Sequence, residues 1–76
     1  MVPPKTPRYP YLAVADALRE RLDLGEWLPG EVLPTIKELA GEYQVSRGTA
    51  ARAVKVLEGE GRVTVTARWG TFAAAR

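Results

Sequence analysis

The sequence contains no cysteine and no histidine. Without cysteine there is neither a disulfide nor a thiolate metal site, and without histidine only carboxylates remain as metal ligands. The same inventory excludes Ser-His and Cys-His nucleophilic mechanisms and zinc hydrolysis. Long apolar runs are missing too. None approaches the ~18 residues of a membrane span, and the N-terminus carries no readable signal peptide. At 76 residues the chain is one domain at most, near the lower limit for folding without a cross-link or partner. Its hydrophobic fraction of 46% owes much to alanine, so the core is smaller than that figure suggests. The expectation is a small soluble cytoplasmic module without membrane partner, metal or cofactor.

The net charge of +2 says little, but its distribution says more. Residues 1–46 carry five basic and seven acidic side chains, whereas residues 47–76 carry six basic and two acidic. A positive C-terminal half on a near-neutral chain is the electrostatic footprint expected of a protein that meets a polyanion. The plainer alternative is a solvated surface with a chance asymmetry, and the positions of the charges must decide.

Four prolines fall within residues 1–10, with Lys5 and Arg8 between them. Proline fixes φ and removes amide donors, so this stretch reads as an extended, disordered arm, with Pro10 suited to a first helical turn. From Tyr11 the apolar positions Tyr11, Val14, Ala15, Leu18 and Leu22 recur at helical spacing, and Gly25 closes the helix. Glu26 to Pro34 reads as a loop whose apolar members Trp27, Leu28, Val32 and Leu33 fold back onto the core. Thr35-Ile36-Lys37-Glu38 fits a capping box and opens a second helix with Ile36, Leu39, Ala40 and Tyr43 on one face. Gln44-Val45 makes a tight turn, Ser46 caps a third helix starting at Arg47, and Gly59 and Gly61 end it. Beyond Gly61 the period becomes two. Val63, Val65 and Phe72 alternate with Arg62, Thr64, Thr66 and Thr71, predicting two strands around a turn near residues 67–70. The pattern predicts a mainly α fold with a small β-hairpin: a winged helix-turn-helix over residues 11–73, with a tail at 74–76.

In such a unit the third helix enters the major groove, N-terminal residues foremost. At ~100° per residue, Ala50, Ala53, Val54 and Leu57 form one stripe, and Gly48, Ala51, Arg52 and Lys55 lie opposite it. Arg47 and Thr49 sit at the edges of the first turn. The outer face is therefore basic and interrupted by very small residues, which lets a helix approach base edges closely. Arginine pairs bidentately with guanine O6 and N7, and threonine reaches a phosphate or a thymine methyl. Ser46 stands where free helix amides can hold a phosphate. Arg62 and Arg68 project from the hairpin, and Trp69 sits at its turn. A wing of this kind lays arginine in a minor groove or along the backbone. For Trp69, burial beneath the wing is weighed slightly above contact with DNA; Trp27 and Phe72 are read as structural.

Several segments together resemble the DNA-binding domain of GntR-type bacterial transcription regulators. They are Tyr11-x-x-Val14-Ala15-x-x-Leu18-Arg19, Gly25-x-x-x-Pro29-Gly30-x-x-Leu33-Pro34-Thr35, Leu39-Ala40, Val45-Ser46-Arg47-x-Thr49, Leu57-x-x-x-Gly61 and Gly70-Thr71-Phe72. The resemblance implies a winged helix that binds a palindromic operator as a dimer. It puts DNA contacts on Lys37, on Ser46, Arg47 and Thr49, and on the wing near Gly70. Two positions depart from the family pattern. Ala51 stands where an arginine is common, with Arg52 one residue on, and Arg68 stands where the wing usually has glycine. Family members also continue into a metabolite-binding, dimerising domain, and no ligand-binding domain is expected in a chain ending at Arg76.

The sequence reading is thus a non-enzymatic, sequence-specific transcriptional regulator, a repressor, contacting double-stranded DNA through Lys37, Ser46, Arg47, Gly48, Thr49, Arg52, Lys55, Arg62, Arg68, Trp69 and Gly70. Arg47 is the expected base reader, and Arg52, Lys55, Arg62 and Arg68 neutralise phosphates. The alternative is a winged-helix protein-interaction module using the same basic face for an acidic partner.

Overall fold

A computed structural model describes residues 9–67 and 69–74. The expected arm at residues 1–8, Arg68, and residues 75–76 of the expected tail lie outside the described residues. Three helices come first, α1 (Pro10–Asp23), α2 (Ile36–Tyr43) and α3 (Arg47–Gly59); the strands β1 (Val63–Thr66) and β2 (Gly70–Ala73) follow. The strands pair antiparallel, with Val63 opposite Ala73 and Thr66 opposite Gly70.

Each helix begins and ends for a local reason. Pro10 occupies the first turn of α1, where a missing N–H costs nothing. At α2 the capping box is complete: Thr35 Oγ1 accepts from the Glu38 amide at 3.1 Å, and the Glu38 carboxylate accepts from the Thr35 amide at 2.8 Å. Ser46 caps α3 by accepting from the Thr49 amide at 3.0 Å. All three helices end in the same pair of backbone bonds. Glu26, Val45 and Arg62 donate to Arg21, Ala40 and Leu57 across six residues, while Gly25, Gln44 and Gly61 donate to Leu22, Gly41 and Glu58 inside that loop. This is the Schellman arrangement, which needs a left-handed residue just past the helix. Glycine supplies it after α1 and α3 at φ of +81° and +77°, but after α2 the residue is Gln44 at φ +55°.

α3 packs against α1, α2 and β1. Leu18, Leu39 and Leu57, one from each helix, are fully buried, joined by Val14, Leu33, Val54 and Val63. Ala15, Ala50 and Ala53 have no exposed surface, and their small side chains let α1 and α3 approach closely. The expected stripe of α3 is therefore the buried one.

The hairpin is wider than the sequence predicts. Segment 30–33 lies along β2: the Gly30 amide donates to the Ala73 carbonyl, the Ala73 amide to Glu31, and the Leu33 amide to Thr71, each at 2.8 Å. Val32 bridges Phe72 in the same antiparallel sense. Three expectations are corrected. Only Leu33 of the loop's aliphatic trio enters the core, whereas Leu28 and Val32 are 61% and 56% exposed. Phe72 faces away from the core, because the register puts Thr71 and Ala73 on the inner side with Val63. Trp27 does pack at the core's edge, with the Arg21 guanidinium 4.5 Å from its ring centroid.

Two substitutions test these assignments by urea denaturation. Leu57→Ala, which opens a cavity at a fully buried core position, should cost about 2–5 kcal/mol. Gln44→Gly should instead stabilise the chain by up to about 1 kcal/mol, because it relieves a left-handed residue with a Cβ.

Candidate nucleic-acid interface

Burying Ala50, Ala53, Val54 and Leu57 turns the opposite side of α3 outward, so Arg47, Gly48, Ala51, Arg52 and Lys55 are all exposed. Thr49 is half-buried at the edge. Lys37 is exposed on the first turn of α2, the helix that precedes this one in the two-helix unit. A Cβ on Gly48 would meet only Ser46 Oγ, at 3.9 Å, so packing within the chain does not demand glycine there. The middle of the face is low and open.

Ion pairing sorts the charges. Among the described residues, Arg19 pairs with Asp16 and Glu60, Arg21 with Glu26 and Glu42, and Arg62 with Asp23. Three arginines thus engage five carboxylates. Lys37, Arg47, Arg52 and Lys55 take part in none of these pairs, and all four lie on α2 or α3. Among the described residues the cations outside ion pairs are therefore those of α2 and α3, and three of the four, Arg47, Arg52 and Lys55, belong to α3.

Arg62 departs from expectation. It precedes β1 rather than projecting from the hairpin, its guanidinium is held by Asp23 at the end of α1, and its side chain is only 16% exposed. Salt-bridge formation across the α1 and α3 termini gives it a structural role. Trp69 departs in the other direction. It is 75% exposed at the tip of the wing, since the tight turn between β1 and β2 leaves it no core to enter. Gly70 beside it adopts φ +100°, and its carbonyl accepts from Thr66 Oγ1 at 3.1 Å.

Ser46 and Thr49 act as a pair. Ser46 Oγ accepts from the Thr49 amide and donates to Thr49 Oγ1, both at 3.0 Å. The threonine hydroxyl hydrogen is thereby left for an outside acceptor. Sequence reasoning missed the neighbours of this pair. Tyr9 and Tyr11 stack with ring centroids 6.1 Å apart, and the Arg52 guanidinium lies 4.3 Å from the Tyr11 ring centroid. Together they form an open cleft of about 360 Å³ between the first turns of α1 and α3. No sequence pattern announces a contact between Tyr11 and Arg52, which are far apart in the chain; only the packing of α1 on α3 creates it.

Among the described residues no group of carboxylates is placed to hold a metal ion, and no helix is long and apolar enough to cross a membrane.

A helix-turn-helix with a cationic second helix and a β wing defines the winged-helix class of DNA-binding domains. The sequence model of the bacterial regulatory proteins, gntR family, matches residues 10–73, and the chain belongs to that family. It is 40% identical over 68 residues to an uncharacterized HTH-type transcriptional regulator of Streptomyces coelicolor, covering 90% of this chain and 24% of that protein. Over 47 residues it is 43% identical to the mannosyl-D-glycerate transport/metabolism system repressor of Escherichia coli, covering 62% of this chain and 20% of the repressor. The chain thus spans about a quarter or less of either relative. Among solved structures, the AraR DNA-binding domain in complex with operator ORE1 superposes with a TM-score of 0.87 at 27% identity, covering 97% of this chain and 90% of that one. A putative GntR-family transcriptional regulator gives a TM-score of 0.82 at 38% identity, covering 91% and 27%.

The ion pairs carry a pH signature. The hydrogen bonds donated by Arg19 hold the Glu60 carboxyl below its ordinary value of 4.5, and those from Arg21 do the same for Glu26. A depressed carboxyl stabilises the fold fully above its unfolded pKa and loses that contribution as pH falls through the folded value. Thermal melts should therefore be level from pH 7 to about 5.5 and decline below about 4.5. Glu60→Gln should flatten that decline.

Proposed function

We propose that the chain is the operator-reading part of a transcriptional repressor, docking α3 in the major groove of double-stranded DNA and the wing on the adjacent minor groove or backbone. The observation that carries this reading is the set of four exposed cations on the two-helix unit, Lys37 on α2 and Arg47, Arg52 and Lys55 on α3, left outside the ion pairs among the described residues. Operator complexes of the AraR domain, similar over nearly the whole chain, support DNA as the partner. The Escherichia coli repressor among its relatives supports repression as the outcome.

Arg47 leads the exposed face at the head of α3 and is the base reader, bidentate to guanine. Thr49 offers its free hydroxyl hydrogen to a phosphate oxygen or its methyl to thymine. Lys37 and Lys55 neutralise phosphates on either side, and Gly48 and Ala51 let the helix sit deep. Trp69, exposed at the wing tip, lies against sugar or between base steps of the minor groove, and its sequence neighbours Arg68 and Gly70 join the contact. Arg62 is kept for Asp23 and contributes to DNA binding only through the fold. Two copies of the domain on a palindromic operator supply the avidity that one small module lacks. On this reading the chain is a cytoplasmic binding module and not an enzyme.

A titration of isotopically labelled protein with short duplexes, including DNA from upstream of its own coding sequence, tests this at two salt concentrations. Amide shifts should concentrate in Lys37, residues 46–55 and the wing, and weaken steeply with salt; silent amides at low salt would sink the proposal. Arg47→Ala should cost about 1–3 kcal/mol and relax selectivity at one base pair. Lys55→Ala should weaken all duplexes alike and lower the salt slope by about one.

A further inference from the structure

We propose that Tyr11 is a positioning residue that reserves Arg52 for one backbone phosphate, seated in the cleft between the first turns of α1 and α3. The inference rests on the DNA-binding reading above and deepens it.

Arg52 is exposed and takes part in none of the ion pairs among the described residues, yet its guanidinium is not loose in solvent. It lies 4.3 Å from the centroid of the Tyr11 ring, which itself stacks on Tyr9. A guanidinium over an aromatic face is attracted by the ring quadrupole and keeps its planar N–H edge free for acceptors. Tyr11 is held in turn, being half-buried and packed against the core from the first turns of α1. The guanidinium therefore has a fixed address beside the cleft that Tyr9, Ser46, Gly48 and Thr49 also line.

The chemistry of that cleft suits a singly charged phosphodiester. Arg52 presents the cation, Thr49 has a hydroxyl hydrogen unspent because Ser46 donates to its oxygen, and Tyr9 brings a phenol. Among the described residues no carboxylate lines the cleft to compete for the guanidinium. An arginine turned toward α1 is also withdrawn from the centre of the recognition face. Base readout then falls to the head of α3, Arg47 and Thr49, with Gly48 and Ala51 presenting no side chain long enough to replace it. The stack thus decides which of the two arginines of α3 reads sequence.

The test uses the chain with a fluorescently labelled duplex taken from its own upstream DNA. A companion panel changes each base pair of one half-site in turn. Arg52→Ala should weaken every duplex by a similar factor, on the order of tenfold, and lower the slope of log affinity against log salt by about one. Tyr11→Phe, which keeps the ring, should bind like the parent chain. Tyr11→Leu should reproduce much of the Arg52→Ala loss, and the double variant should be little worse than either single one. Thermal melts of each variant separate this coupling from unfolding. In the free protein, the Arg52 side-chain protons should be shifted upfield by the Tyr11 ring and return to ordinary positions in Tyr11→Leu.

A loss confined to one base pair in Arg52→Ala would make Arg52 a base reader and overturn the proposal. So would an unchanged affinity and salt slope, or losses at Tyr11 and Arg52 that simply add. A parent chain that binds no duplex would overturn the DNA reading and the phosphate seat together. A parent chain that binds while Arg52→Ala matches it would overturn the seat alone.

Discussion

What α3 offers to a partner depends on how its other side is held. Ala50 and Ala53 are buried without remainder, and Ala15 from α1 is equally so. Alanine contributes little apolar area, but it allows two helices to approach more closely than leucine would. Leu18, Leu39 and Leu57 then lock the three helices around that contact. The orientation of every exposed residue on α3 follows from this seam. A helix rotated by one position would bury Ala51 and Lys55 and turn core residues toward the solvent.

The same seam organises the electrostatics. Arg19 on α1 reaches Glu60 just beyond α3, and Asp23 at the end of α1 reaches Arg62 just before β1. These pairs join the far ends of the two helices, where carboxylates and arginines match. Exposed ion pairs of this sort contribute little stability individually. Their larger effect is on the distribution of charge, because five carboxylates are engaged by Arg19, Arg21 and Arg62 and none of them pairs with the cations of α3. A net charge of +2 can then act on a polyanion as a concentrated patch instead of a diffuse excess.

Much of this was legible in the sequence because it is local. Capping residues, helical periodicity and the glycines after α1 and α3 act within six residues of themselves. They predicted three helices, two strands, the capping box, the buried stripe of α3 and the open face opposite it. The family resemblance carried by those same positions agrees with the match over residues 10–73. The misreadings are all non-local. Leu28, Val32 and Phe72 are apolar and were assigned to the core, but the pairing of segment 30–33 with β2 turns Val32 and Phe72 outward, and Leu28 is exposed in the turn before that segment. Trp69 was weighed toward burial, whereas the hairpin is too short to cover it. Arg62 looked like a wing cation because its partner Asp23 is thirty-nine residues away. Tyr11 read as one more member of a stripe, and nothing near it in sequence pointed to Arg52.

The pairing of segment 30–33 with β2 also bears on how the molecule comes apart. The wing is not an appendage clipped to a helical bundle, since its inner strand is hydrogen-bonded on both sides. One of those neighbours is the segment that carries Leu33 into the core. Peeling segment 30–33 from β2 therefore exposes the Leu33 amide and loosens a core side chain in the same event. The tip around Trp69 escapes this coupling, because the ladder ends at Thr66 and Gly70. The base of the wing accordingly shares the cooperativity of the whole domain.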